Sequence, residues 1–237
     1  MSEILFHRET FVASQGDGKG NPDIYQIFRV FQLAAIRHAE ELGIGKSFYI
    51  PNRLLFVLCR MKLVLSGSIV AGKKYRLTTF ALPPERIQFY RDAYIEDESG
   101  EVVGRLTALW VLISALNRRI TLTDGLKKQL EPLAEEMKTL RPVLGERLSD
   151  LDEEEETEAC FSHVVSQEDI DENGHMNNTV YIRLVQEAGF DYPVKTFEID
   201  FEKECMLSEM LTIYKGKEGY YSGVKDGHLS FKCRVGK

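Results

Sequence analysis

The sequence predicts an α+β protein built from two similar halves, each with one long helix set against an antiparallel sheet. Three observations carry that expectation. A long segment has apolar residues at helical spacing, strand-like runs are separated by turn signals, and the same strand, helix, strands order returns about 155 residues later.

Taken in order, Ile4 to Ala13 mixes apolar and polar residues as a strand does, and Ser14 to Pro22 reads as a loop. A helix follows, with Asn21 or Asp23 as its cap and Pro22 in its first turn. Ile24, Ile27, Phe28, Phe31, Ala35 and Leu42 recur at helical spacing until Gly43. So broad an apolar face needs a sheet to cover it. Strands are expected over Leu54 to Leu65, Lys74 to Leu82, Arg86 to Glu96 and Glu101 to Leu116, with Glu98-Ser99-Gly100 turning between the last two. In the second half Ala159 to Val165 is strand-like and Asn178 to Ala188 helical. Lys195 to Lys203, Glu209 to Lys215, Tyr220 to Val224 and Leu229 to Val235 are short strands. Between the halves, Asp124 to Arg147 is charged and helical in pattern. Asp150 to Glu158 is a run of carboxylates that repel one another and resist packing. The expected division is residues 1–122, a charged linker over 123–157, and residues 158–237. Joining the two sheets edge to edge would cover their open strands.

Composition narrows the function. A chain of 237 residues with 43% hydrophobic side chains can bury a sizeable core. Its formal net charge of −7 gives no basic footprint for a phosphate backbone, so no nucleic-acid partner is expected. No apolar run spans a bilayer. Met1 to Phe11, with Glu3, His7, Arg8 and Glu9, is too charged for a signal peptide, so a cytoplasmic protein without membrane insertion is expected. Cys59, Cys160, Cys205 and Cys233 lie far apart and are expected to be reduced thiols. G-x-S-x-G, H-E-x-x-H and P-loop motifs are absent. Gly16-Asp17-Gly18-Lys19-Gly20 lacks the third glycine of a dinucleotide loop and places Asp17 where a phosphate would sit.

Polarity is most concentrated in Asp169 to Tyr181, between a strand and a helix start. Asp171, Asn173 and His175 occupy alternate positions, so an extended backbone would turn them to one side. The competing reading is a plain turn at Asn173-Gly174 with a surface histidine. Asn177 or Asn178 can cap the next helix, whose free N–H groups would stabilise a negatively charged oxygen. Downstream, Glu204 and Cys205 sit side by side at a strand end. Alternation puts Cys205 on the face of Phe197, Ile199 and Phe201 and turns Glu204 away, unless the strand bulges near Glu202-Lys203 or ends there.

These motifs together resemble the acyl-acyl-carrier-protein thioesterases of plants and bacteria, and the resemblance covers nearly the whole chain. It rests on Asp171-x-Asn173-x-His175-x-Asn177-Asn178 followed by Tyr181-Ile182, and on Phe201-Glu202-Lys203-Glu204-Cys205. In the first half it rests on Asn52-Arg53 through Arg60-Met61 and on Ala108-Leu109-Trp110-Val111 through Asn117-Arg118-Arg119. The resemblance implies a double hot-dog fold, two helix-wrapped sheets in one chain. It implies a catalytic network of Asp171, Asn173, His175 and Glu204, with Cys205 as the alternative nucleophile, and an amino-terminal half that holds the acyl chain. It also implies an acidic acyl carrier protein as partner, with Arg118-Arg119 and Lys127-Lys128 as candidate docking residues, and a homodimer is among the assemblies it admits. Hydrolysis of an acyl-CoA, a 3-hydroxyacyl dehydratase and a non-catalytic acyl-thioester sensor are the competing functions. No cofactor or metal is expected, because no histidine, cysteine or carboxylate cluster has ligand spacing. Turnover should therefore survive chelation, and loss of activity that zinc or magnesium restores would overturn the expectation.

Overall fold

The computed structural model describes residues 5–126, 128, 130, 142–149 and 158–237. The first half supplies β1 (His7–Val12), α1 (Ile24–Glu41), α2 (Lys46–Tyr49), β2 (Leu54–Leu65), β3 (Lys74–Ala81), β4 (Gln88–Glu96) and β5 (Val102–Ser114). From the second half come β6 (Glu158–Val164), α3 (Asn178–Ala188), β7 (Thr196–Phe201), β8 (Met210–Lys215), β9 (Tyr220–Lys225) and β10 (His228–Gly236). All the strands belong to one ten-stranded sheet in the order β1-β3-β4-β5-β2-β7-β10-β9-β8-β6. The halves meet edge to edge, as expected. Antiparallel β2 and β7 pair from Arg60 opposite Asp200 to Val64 opposite Thr196.

Helix α1 forms where the apolar spacing predicts it. Asp23 is its cap, accepting the Gln26 N–H at 3.2 Å. Ile24, Ile27, Phe28 and Phe31 are wholly buried against the sheet. At roughly 1.5–3 kcal/mol for each large apolar side chain, this face outweighs the cap by several-fold. A second cap crosses between the halves. Gln186 of α3 accepts the Ile24 and Tyr25 N–H groups at 3.0 and 3.2 Å, and its amide donates to Asp23 at 3.0 Å. The helices thus lie together on one side of the sheet, over a core that runs through both halves.

At the β2–β7 seam a buried ion network replaces apolar packing on the other sheet face. Arg60 donates to Asp200 at 2.7 Å and to Glu198 at 2.8 Å, and its remaining guanidinium N–H groups reach the Gly145 and Glu146 carbonyls. Parts of the expected linker are anchored on the rest of the chain, while residues 145–147 are exposed. Leu126 and Leu130, one helical turn apart, are buried beside Leu54, Phe89 and Leu112, and the Leu148 N–H donates to Asp200 at 3.0 Å. The acidic residues 150–157 lie outside the described residues. No helix among the described residues is long and apolar enough to cross a membrane.

Candidate active site

The loop entering α3 is a tight turn, which corrects the expectation of an extended backbone over Asp171, Asn173 and His175. The short Asp171 carboxylate accepts the backbone N–H groups of Asn173 at 2.8 Å and His175 at 3.3 Å, while the Gly174 N–H closes on the Asp171 carbonyl at 3.0 Å. These bonds favour the turn over an extended strand. Gly174 sits at φ +81°, where a β-carbon is strained. The Asn173 amide remains near the Asp171 carboxylate, at 3.4 Å. Asn177, not Asn178, is the cap, accepting from the Thr179 N–H and hydroxyl at 2.9 Å each. With the Thr179 and Val180 N–H groups committed to Asn177, the Asn178 N–H is left without a partner among the described residues.

The question of strand parity is decided next door. β7 ends at Phe201, because β10 carries a bulge at Ser230 whose carbonyl accepts both the Glu202 and Lys203 N–H groups. The chain beyond is no longer a strand. The Cys205 N–H donates to the buried Tyr181 hydroxyl at 3.0 Å, and its carbonyl accepts from Met176 at 2.8 Å. Tyr181, packed edge-on against Phe201 and Phe231, has its hydroxyl pKa pushed up by burial and serves as a fixed post between α3 and this segment.

Glu204 and Cys205 consequently face opposite ways. The Glu204 side chain is 40% exposed and its carboxylate lies 3.6 Å from His175 Nε2, inside ion-pair reach but longer than a hydrogen bond. Cys205 is wholly buried, with its sulfur 3.2 Å from Ser230 Oγ. Since the Ser230 hydroxyl donates to the Lys203 carbonyl, the thiol proton is the one shared between Cys205 and Ser230. Sequence reasoning assigned Arg118 to carrier docking. It arrives from beyond β5, and its guanidinium donates to the same Glu204 oxygen that faces His175. Nothing local in the sequence signals that contact across the halves. Tyr181 and Ser230 were likewise missed as supports. Lys127 lies outside the described residues.

Beside this cluster an apolar cavity of about 400 Å³ runs into the first half, within the size range of small-molecule sites. Phe31, Ala35, Leu58, Met61, Phe89 and Trp110 wall it, and Asp171, Asn173, Asn177 and Asn178 form its polar end. His175 and Glu204 stand just beyond that end. Lys46 of α2 pairs with Glu172 across the halves, and both line the opening. Among the described residues no group of histidine, cysteine and carboxylate side chains could hold a metal ion.

Long helices packed on one continuous sheet, with a polar cluster of one half beside an apolar cavity that runs into the other, define a double hot-dog protein. The chain belongs to the acyl-ACP thioesterase family: the models for that family's N-terminal and C-terminal domains match residues 6–126 and 150–234. It is 25% identical over 196 residues to a palmitoyl-acyl carrier protein thioesterase of Gossypium hirsutum, covering 76% of this chain and 47% of the relative. An oleoyl-acyl carrier protein thioesterase of Arabidopsis thaliana is 24% identical over 226 residues, covering 87% of this chain and 62% of the relative. The chain thus spans about half the length of the first-ranking curated relatives it matches. Among solved structures, the 12:0-ACP thioesterase from Umbellularia californica superposes with a TM-score of 0.80 at 20% identity, covering 98% of this chain and 96% of that one. An acyl-ACP thioesterase from Bacteroides thetaiotaomicron VPI-5482 gives a TM-score of 0.76 at 18% identity, with 99% and 98% covered. These likenesses carry the fold.

Proposed function

We propose that this protein hydrolyses fatty-acyl thioesters borne on acyl carrier protein, releasing free fatty acid and free carrier and so ending chain elongation. The observation that carries the reading is the Asp171–Asn173 turn at the polar end of an apolar cavity, with the His175–Glu204 pair next to that turn. The acyl chain lies in the cavity, and the carbonyl comes to rest between Asn173 and His175. Water adds to the carbonyl carbon while its proton passes to the His175–Glu204 pair. The negative oxygen is held by the Asn173 amide and the free Asn178 N–H, groups fixed before the reaction begins. The carbon–sulfur bond then breaks, the sulfur takes up a proton, and the carboxylic acid departs. A thiolate leaves readily, so no strong acid is required. Asp171 acts through the turn it ties, as an orienting carboxylate does.

The domain roles follow from the same reading, with 1–122 binding the chain, 123–157 connecting, and 158–237 carrying the chemistry. A cytoplasmic location is part of this reading. Product analysis with carrier protein charged with chains of varied length tests the function. Free thiol and free fatty acid in equal amounts are the expected products. Binding without release would make the protein a sensor, and release confined to a dehydrated 3-hydroxyacyl product would make it a dehydratase.

Carrier docking gives a separate test. Arg119 is exposed next to Arg118, whose guanidinium holds Glu204, and an acidic partner would be steered toward them. Arg119→Glu is expected to raise KM for carrier-bound substrate several-fold and flatten its salt dependence, whereas Arg118→Glu should also lower kcat because it loses its contact to Glu204. If both reversals leave KM and its salt dependence unchanged, the carrier docks elsewhere.

A further inference from the structure

Among the polar side chains that line the cavity, Arg91 is a buried cation that an unsubstituted fatty chain does not call for. Arg91, on the inner face of β4 with Phe89, is 6% exposed and lines the cavity. Its one polar partner among the described residues is the ring of the wholly buried His38 on α1, with Nη1 2.7 Å from Nδ1. That ring nitrogen is an acceptor here, because a guanidinium only donates. Among the described residues no carboxylate lies within ion-pair distance of Arg91. The field of Glu41 reaches it, but that carboxylate is held by His7. Burial lowers the Arg91 pKa to about 10, so the group is still cationic at neutral pH. Arg91 lines the cavity, and only Nη1 of its guanidinium is engaged by His38 among the described residues. Buried cations are normally paired with an anion, and among the described residues Arg91 has only the neutral-acceptor nitrogen of His38.

Its position is distal. β4 lies three strands from β7 in the sheet order, about 14 Å at the usual strand spacing, on the side away from Glu204. We propose that Arg91 makes the far end of the cavity a subsite for an anionic oxygen, so that the preferred acyl chain ends in a carboxylate, as in the monothioester of a dicarboxylic acid. The guanidinium supplies charge-assisted N–H donors, and the incoming carboxylate supplies the counter-ion that the described residues do not. The proposal rests on the thioesterase reading for its substrate class, yet the subsite can be measured without turnover.

Two readouts test it. Carrier protein charged with suberoyl is compared with carrier bearing octanoyl, a chain of the same length, on the wild type, Arg91→Met and Arg91→Lys. The wild type should favour suberoyl in kcat/KM by roughly 10- to 100-fold, the worth of hydrogen bonds to a charged group, and Arg91→Met should abolish that preference while Arg91→Lys keeps part of it. Independently, calorimetry should show free suberate binding the wild type more tightly than octanoate and losing that advantage in Arg91→Met. Release of neither chain, with suberate still preferred in binding, would overturn the hydrolase reading and leave the subsite standing. Equal or better use of octanoyl by the wild type, with octanoate binding as tightly as suberate, overturns the subsite.

Discussion

Alanine at Glu204, His175 or Asn173 is expected to slow thioester hydrolysis by on the order of 10²-fold or more, the scale of lost acid–base catalysis, while Cys205→Ala retains most activity. Two routes compete at this corner of the molecule. A Cys205–His175 pair could form an acyl-enzyme, since a neighbouring imidazolium activates a thiol. The geometry favours the carboxylate route, because the Cys205 thiol is wholly buried on Ser230 whereas Glu204 faces His175 at 3.6 Å from the open side. Steady-state rates on one acyl thioester decide between the routes, with circular dichroism confirming that each variant is folded. A folded but inactive Cys205→Ala, together with a burst of released thiol from the wild type, would establish the covalent route and remove Glu204 from its assigned role.

The second large effect is on stability. Arg60→Ala should destabilise the protein by about 3–5 kcal/mol, because it removes the shared cation from two carboxylates in a buried seam. Asp200 is wholly buried and the Glu198 side chain is only 10% exposed, and both depend on the Arg60 guanidinium for charge balance. Lys62 offers partial compensation to Glu198, and Arg147 stands 3.6 Å from Asp200, which keeps the loss from being greater. Denaturant unfolding measures the effect. Replacing Arg60, Glu198 and Asp200 together with apolar residues of similar volume should recover most of it, since a buried ion cluster is often no better than good apolar packing. A single Arg60→Ala variant within 1 kcal/mol of the wild type would show that the seam is held by its strand pairing alone.

What could be read from the chain divides along the range of the forces involved. β2 falls over Leu54–Leu65 and α3 over Asn178–Ala188, as periodicity predicts, because burying one face is a local demand with a local signature. The Asp171 to Asn178 segment was identifiable as a polar site for the same reason. Its backbone was not, since the closing bonds depend on which carboxylate oxygen finds which N–H. The strand expected to run to Lys203 stops at Phe201 because of a bulge at Ser230, on another strand. Likewise Arg118 on Glu204, Gln186 on the start of α1, and Arg60 on Asp200 join residues far apart in sequence, and no spacing rule connects them.

Those cross-half contacts bear on how such proteins can be re-engineered. Exchanging acyl-binding halves between relatives is an obvious route to chimeras with new chain preferences, and the β2–β7 seam invites a cut between the two halves. On the proposed reading the amino-terminal half would do more than hold the acyl chain. It supplies the Arg118 cation on Glu204 and the Lys46 cation on Glu172, and its helix start takes Gln186 from the other side. A graft that transplants the pocket but not these three partners would deliver the intended specificity onto a misaligned reaction centre. The transferable unit is the pocket together with its two cations and the mouth of α1.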